Sequence, residues 1–486
     1  MKNYIRIYRF LFKTSIPELV VLIILTFFLF RNLGTNSLQA WDESRYAINA
    51  LEMNERGDYI NYYYAGQPDQ WIGKPPLYMW SVALSYKIFG TNEFALRFPS
   101  ALCALLIFVT LYFILRKYRS RAFALTACLL LGSVTAIIGR HVGRTGEMDA
   151  MLSLFLLIAA GSFLMAVDFG KKTFLTLCGI ALGLAFYAKG TPAFMLLPIW
   201  AIYALWRKKT RFLLKSIHLY AGLLIFAAFI FSWYFLIIKY GNTFPDRQYG
   251  GSNAWENLFG YDTVTRITNA PNDLSSTKLT FIMHYFDVRF NIWNYLFYAA
   301  FIYFIISSIR KKLLIRNRKS LQLFSISSWI FLGTLLVFST DKHDWYLAPV
   351  ASFIAINGTA LIFFVSKKEK WLLIPITLVL IVTLTRQAVQ INQGDKYSSF
   401  YTEFLEPALQ KEELILVGLP SQNDLVYARF RNNKIRITDS LISSDIVKKN
   451  QKIYTRDLNV KSSPLLQNDF NVIARNGEWL LLKYLK

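Results

Sequence analysis

The chain has 486 residues, 54% of them apolar or aromatic, and a formal net charge of +24. A charge of that size raises nucleic acid as a partner. The cations, however, fall in short breaks between apolar runs and not on a polar face interleaved with aromatics, which excludes it. Several runs reach the roughly 20 apolar residues that a spanning helix needs, so the expected class is a polytopic α-helical membrane protein.

The first element is the run "IPELVVLIILTFFLF" (16–30) behind a basic N-terminus. As a signal peptide it would need a cleavage site at "SLQA", where bulky Leu38 stands at the −3 position, so it reads as an uncleaved anchor. Taken as 16–31, it is followed by apolar runs at 96–115, 121–139, 150–168, 173–188, 191–206, 216–239, 292–309, 320–338, 346–365 and 371–387. Together they predict about eleven (11–13) transmembrane helices. The breaks "KNYIRIYRFLFK", "RKYRSR", "GKK", "WRKKTRFLLK", "RKKLLIRNRK" and "SKKEK" hold 24 of the 54 Lys and Arg, and the threading puts all of them on one side. That is the positive-inside pattern. It predicts a cytoplasmic (inner) membrane protein with a cytoplasmic N-terminus and an extracytoplasmic C-terminus.

The opposite side receives the long segments, beginning with the loop 32–95. In "AWDESRYAINALEMNERG" Asp42 is placed as a helix N-cap, with Trp41 as a staple on Tyr46 and Gly57 as the stop. Capping does not account for Glu43 and Arg45 beside it, because ionisable groups at a membrane surface tend to line a polar cavity. In "WIGKPPLYMWSVALSYKIFG" the pre-proline position makes Lys74 extended and stiffly presented. The residues after it read as an interfacial, extracytoplasmic juxtamembrane helix, with Leu77, Trp80, Leu84 and Ile88 facing lipid and Lys87 the headgroups. A fixed ammonium next to carboxylates suits a phosphate-bearing lipid, to which Arg45 adds a planar fork.

The same theme recurs along the chain. "GRHVGRTGEMDAML" places Arg140, Arg144, Glu147 and Asp149 at the start of a span, where Asp149 alone would suit the helix dipole. Lys189 lies in "AKGTP", Arg266 in "GYDTVTRIT", and Lys342, His343 and Tyr346 in "DKHDWY". Topology does not require cations on this side. Cys103, Cys128 and Cys178 all lie within apolar runs and read as small buried hydrophobes. No cluster has metal-ligand spacing, and neither a P-loop nor a nucleophile elbow occurs. In the tail, "ELILVGLP", "LVYARF", "KIRITDS", "QKIYTRD" and "NVIARNGEWLLLKYL" read as short strands, with turn signals at Asn432-Asn433 and Asn476-Gly477. The expected division is a membrane domain over 1–390 and a small soluble α/β domain over 391–486.

The stretch from "WDESRYAINALEMNERGDYI" through "GKPPLYMWSVALSYKIFGTNEFALRFPSAL" resembles the first extracytoplasmic loop of the ArnT-like and protein O-mannosyltransferase-like membrane glycosyltransferases, which have the GT-C fold. "GRTGEMDAMLSLFLL", "AFYAKGTPAFMLLP", "FSWYFLIIKYG" and "DKHDWYLAPVASFIAING" resemble that family's later landmarks in the same order, so the likeness covers roughly 30–360. It implies inverting transfer of a sugar from a polyprenyl-phosphate donor to a glycolipid such as lipid A, a surface glycan or a protein hydroxyl. Position by position it implies a catalytic acid at Asp42 and further cavity positions at Asp149 and Tyr346; with Glu43 from the first-loop cluster, the expected catalytic carboxylates are Asp42, Glu43 and Asp149. Arg45, Lys74, Arg144, Lys189, Arg266, Lys342 and Tyr346 are the expected donor-phosphate set. Members of the ArnT-like group carry an acidic residue just before the Lys-Pro pair; this chain has Gly73 there, so no metal and no other cofactor is expected. The rival class is a transporter or lipid flippase, which would place its ionisable groups near the bilayer midplane, often in repeated halves. Neither feature is seen here.

Overall fold

A computed structural model describes residues 15–244, 251–265, 278–309, 317–338, 343–369, 371, 373–393, 414–418, 422–431, 435–438, 451–462, 464–476 and 478–485. Arg266, Lys342 and the Asn432-Asn433 turn signal lie outside these residues. The chain divides into two compact units, one of 1–33, 70–81 and 97–393, the other of 34–69, 82–96 and 394–486.

The first unit is helical. The predicted apolar runs fall on helices, from Ile16–Phe30 to Leu373–Gln393, although 121–139 and 191–206 each divide in two. Among the described residues, five helices are long and apolar enough to cross a membrane: Glu93–Tyr118, Asp149–Phe169, Ile217–Tyr240, Asp344–Lys367 and Ile374–Ile391. Burial separates their roles. The apolar window of Asp149–Phe169 is 89% buried and that of Ile374–Ile391 only 11%. A helix apolar all round and yet exposed must meet lipid, whereas one buried all round is the middle of a bundle. Membrane packing relies on small residues that let backbones approach. A Cβ at Gly179 would come within 2.1 Å of the Gly222 carbonyl oxygen, so these two glycines set the crossing of Phe174–Lys189 with Ile217–Tyr240.

The predicted span 121–139 breaks in two, into Arg121–Gly132 and Thr135–Ile138. A Gly132-Ser133 pair followed by β-branched Val134 and Thr135 loosens the ladder there. Next to the basic breaks the unit is tied by two carboxylates, Asp168 buried and Glu18 half-buried. Asp168 accepts from Tyr118 (2.8 Å), Tyr203 (3.0 Å) and Arg207 (3.1 Å), and Glu18 from Arg121 and Tyr112. Much of the charge in that region is therefore structural glue between helices.

The second unit joins the first-loop helix Asp42–Arg56 to the tail. Its start differs from expectation. Trp41, not Asp42, is the N-cap, with φ of +70° and no capping side chain, and at 67% exposure Trp41 staples nothing. The predicted stop at Gly57 is present, with the left-handed φ of +68° that glycine adopts without strain. A short antiparallel pair, β1 (Tyr63–Tyr64) and β2 (Gln67–Pro68), follows.

The tail holds a five-stranded mixed sheet of β3 (Leu414–Val417), β4 (Ile435–Thr438), β5 (Lys452–Arg456), β6 (Phe470–Asn476) and β7 (Trp479–Tyr484), ordered β4-β3-β5-β7-β6. The hairpin read from Asn476-Gly477 pairs Asn476 with Trp479. "LVYARF" is not a strand; it lies in the helix Gln422–Arg431. Because β3 and β4 are parallel neighbours, their link must cross over, and a crossover is usually a helix. Topology overrides the β-propensity of Val426, Tyr427 and Phe430. Ile415, Val417, Ile453, Leu480 and Leu482 form the core of this sheet.

Candidate active site

In the first unit Lys189, Asp149 and Tyr346 come together where helix ends meet, with Lys74 close by. Helix Phe174–Lys189 stops at Gly190, whose φ of +82° turns the chain into the 3₁₀ segment Thr191–Phe194. That stop leaves Lys189 at the helix end, and its Nζ lies 2.5 Å from Oδ1 of Asp149, the first residue of the next helix in the cluster. Both side chains are largely buried, at 12% and 4% exposure. The Lys189 ammonium also sits 5.4 Å from the ring centroid of Tyr346, a cation–π distance.

Lys74 belongs to the same neighbourhood. It is 8% exposed, and the proline after it abuts Gly190: a Cβ there would meet Pro75 Cδ at 3.4 Å. The segment before Lys74 is fastened to helix Ala254–Phe259 by Asn257 Nδ2 donating to the Gln70 carbonyl (2.9 Å). Gly73 has no room for a side chain, since a Cβ would lie 2.7 Å from the Ala254 carbonyl oxygen. The acid that the family resemblance would place there is thus replaced by close backbone packing.

The surroundings of Tyr346 escaped the sequence reading. Trp345 is sandwiched between two imidazoles, His141 at 3.9 Å and His343 at 4.3 Å between ring centroids. His343 in turn meets the Tyr346 ring edge-on at 5.1 Å. His141 adopts φ of +60° and places Nδ1 2.6 Å from Oε1 of buried Glu147. Burial pulls the His141 pKa down, but the hydrogen bond and charge of Glu147 outweigh it, and the net shift is upward. Arg289 bridges Asp344 (Nε to Oδ2, 2.6 Å) to the Arg140 carbonyl (2.8 Å), closing the two turns onto each other. Sequence gave one usable signal for this, the paired "GRH" and "DKHDWY" turns; that their rings stack is tertiary.

Arg144 is not part of this group. Its guanidinium donates to the carbonyls of Phe28 (2.7 Å), Leu29 (3.1 Å) and Arg31 (2.9 Å), satisfying the orphan acceptors at the end of helix Ile16–Phe30. Burial lowers its pKa to about 10, which leaves it charged at neutral pH.

Asp42, Glu43 and Arg45 lie in the second unit and have three different fates. Glu43 is fully buried and accepts from the Gln39 backbone N–H at 2.7 Å, so it is a structural acceptor and not an exposed catalytic acid. Arg45 makes a bidentate pair with Asp69 (Nε to Oδ2 2.8 Å, Nη2 to Oδ1 2.6 Å), and Asn49 adds a third bond to that carboxylate (2.9 Å). Its fork binds a carboxylate of the same loop rather than standing ready for phosphate. Asp42 is partly exposed, and no hydrogen bond or ion pair joins its carboxylate to another described residue.

Residues 73–235 match the family model described as dolichyl-phosphate-mannose-protein mannosyltransferase. An uncharacterized protein of Aquifex aeolicus is 35% identical over 257 residues, 52% of this chain and 56% of its own length. The undecaprenyl phosphate-alpha-4-amino-4-deoxy-L-arabinose arabinosyl transferase of Yersinia pestis is 33% identical over 190 residues, 37% of this chain and 34% of the enzyme. The chain thus spans little more than half the length of the first relative and a third of the second. Among solved structures, ArnT from Cupriavidus metallidurans bound to undecaprenyl phosphate aligns with a TM-score of 0.70 at 16% identity, over 96% of this chain and 97% of that one. The Archaeoglobus fulgidus oligosaccharyltransferase aligns with a TM-score of 0.53 at 13% identity, over 87% of this chain and 65% of that one. At such identities the structural likeness is one of fold. In fold, and in sequence over residues 73–235, the chain resembles the ArnT-like and protein O-mannosyltransferase-like membrane glycosyltransferases of the GT-C type.

Proposed function

We propose that this chain is an inverting membrane glycosyltransferase that moves a sugar from a polyprenyl-phosphate donor to an acceptor on the extracytoplasmic face of the cytoplasmic membrane. The acceptor class is a glycolipid such as lipid A, a surface glycan or a protein hydroxyl. In this reading about eleven helices span the membrane, the N-terminus is cytoplasmic, and the tail lies outside.

The observation that carries the reading is the Lys189–Asp149 pair beneath Tyr346, with Lys74 backed against the same helix end. Two ammonium groups held in a low-dielectric setting suit a lipid phosphate that needs charge stabilisation more than a proton. Lys74 and Lys189 are assigned to that phosphate, and Asp149 orients Lys189. Asp42 is the general base, because among the described residues its carboxylate is the one of the first-loop cluster with no hydrogen-bond or ion-pair partner.

The acceptor oxygen bonds to the anomeric carbon from the face opposite the phosphate. The bond from that carbon to the phosphate oxygen breaks, its electron pair leaves with the polyprenyl phosphate, and the acceptor proton passes to Asp42. A soluble glycosidase differs, because there a carboxylic acid must protonate the leaving oxygen. The test is mass spectrometry of lipid A, glycoproteins and surface glycan from a deletion strain, complemented with wild type or Asp42→Asn. The expected result is one sugar mass lost on deletion, restored by wild type and not by the variant. Restoration by Asp42→Asn removes Asp42 as the base, and no lost mass in any fraction removes the activity.

A further inference from the structure

We propose that the C-terminal tail is a positioning element: helix Gln422–Arg431 holds the segment Leu38–Ser44 and thereby presents the Asp42 carboxylate. This rests on the role just given to Asp42, and extends it to residues some 380 positions away in the chain.

Local bonds join the Gln39 N–H to Glu43 (2.7 Å) and the Ser44 hydroxyl to the Gln39 carbonyl (2.6 Å), and neither takes up the Trp41 N–H. Trp41, the residue before Asp42, has φ of +70°, a left-handed conformation that is strained for a bulky residue. Such strain persists only when surrounding contacts over-determine it. Packing of the Trp41 side chain does not supply them, since the ring is 67% exposed.

Hydrogen bonds from the tail do. The Trp41 backbone N–H donates to Gln422 Oε1. The Leu38 N–H donates to the Tyr427 hydroxyl at 2.8 Å, between two buried residues, and Asn423 Nδ2 donates to the Leu38 carbonyl at 3.2 Å. On the far side of Asp42, the Ser44 hydroxyl is shared between Asn423 Oδ1 and the Gln39 carbonyl. One tail helix thus grips the chain before Asp42, at its neighbour, and after it.

The grip has its own anchorage. Arg429 pairs with Glu55 near the end of the Asp42 helix, Arg431 with Glu93 at 2.7 Å, and the Phe430 ring meets Tyr86 edge-on at 5.9 Å. The three polar residues facing Leu38–Ser44 are therefore fixed before they hold anything. A tail that merely covered apolar surface would not need to satisfy the amides and carbonyl on either side of a single carboxylate.

The experiment uses the full chain in nanodiscs. Gln422→Leu and Tyr427→Phe remove single bonds at nearly constant shape, and Gln422→Glu keeps the acceptor oxygen for the Trp41 N–H. Amide hydrogen exchange is followed alongside transfer kinetics. The expected result is about tenfold faster exchange confined to 38–44 in the first two variants. It comes with about a tenfold fall in kcat, an unchanged KM for the donor, and recovery in Gln422→Glu. Unchanged exchange over 38–44 overturns the proposal, as does faster exchange at wild-type kcat. A kcat that falls only in step with the melting temperature also overturns it, because that is simple destabilisation. A wild-type chain that transfers nothing from polyprenyl-phosphate sugars sinks the functional reading instead, and exchange alone then decides whether the tail holds the segment.

Discussion

The two carboxylates Asp42 and Asp149 look alike in sequence, each at the first position of a helix that follows a turn on the same side of the predicted topology. The structure treats them oppositely. Asp149 is buried and locked to Lys189, itself under the Tyr346 ring. Asp42 is partly exposed, with no described partner, behind a strained Trp41. A paired carboxylate positions something else, whereas an unpaired one can take a proton. The comparison teaches that sequence context marks where charged groups gather, and the bonds they make decide which of them is left to react.

The sharpest way to break this contrast is to neutralise each acid. Asp42→Asn should cut transfer by about 10²–10⁴-fold, the usual share of a general base, while leaving the melting temperature in detergent unchanged. A comparable loss of stability would mean that Asp42 is structural after all. Lys189→Met should behave differently, losing transfer and also destabilising the fold. It strands Asp149 as a buried charge, an event worth about 3–5 kcal/mol. The double variant Asp149→Asn/Lys189→Met should regain most of that stability without regaining transfer. Thermal unfolding of the two variants side by side checks this, and equal stability would show that the pair is not tightly coupled.

A smaller effect is expected at Arg45. Lysine cannot reproduce its fork on Asp69, so Arg45→Lys should cost about 1–3 kcal/mol, in line with hydrogen bonds to a charged group. Faster exchange at Asn49 and Asp69 would report it. If Arg45 instead serves a donor phosphate, the variant should raise the donor KM at unchanged stability.

The smallest effect is the titration of His141. Its pKa in the folded chain is raised above the ordinary 6.5, because Glu147 favours the imidazolium more than burial disfavours it. The protonated form is thus preferred by the native state. Its stabilisation is fully present below pH 6.5 and is lost as the pH climbs through the raised value. Stability measured across that range should fall in wild type and stay flat in Glu147→Gln. A wild-type curve as flat as the variant's would show that the pair does not couple to folding.

Much of the architecture was legible from local pattern. The apolar runs at 16–31, 150–168 and 216–239 match helices within a residue or two, since a 20-residue apolar stretch has few other ways to satisfy its backbone in lipid. The stop at Gly57 and the Asn476 hairpin were readable for the same local reason, a residue suited to its turn. What escaped involved partners distant in the chain. "LVYARF" reads as a strand until the parallel pairing of β3 with β4 demands a crossover helix there. The pairing of Arg45 with Asp69, 24 residues on, was likewise beyond any local pattern.

By itself, then, the sequence determined the class of this protein, the apolar segments that must be helical, and the breaks between them where cations gather. These follow from hydropathy, helical period and charge, which act within about 20 residues. Only the tertiary structure decided which charges are consumed as pairs, that two imidazoles clasp Trp345, and that the tail reaches back to the residues flanking Asp42. Those outcomes depend on directional bonds of about 3 Å between segments up to 389 residues apart. No local pattern encodes such distances, because both ends must be placed before either bond exists.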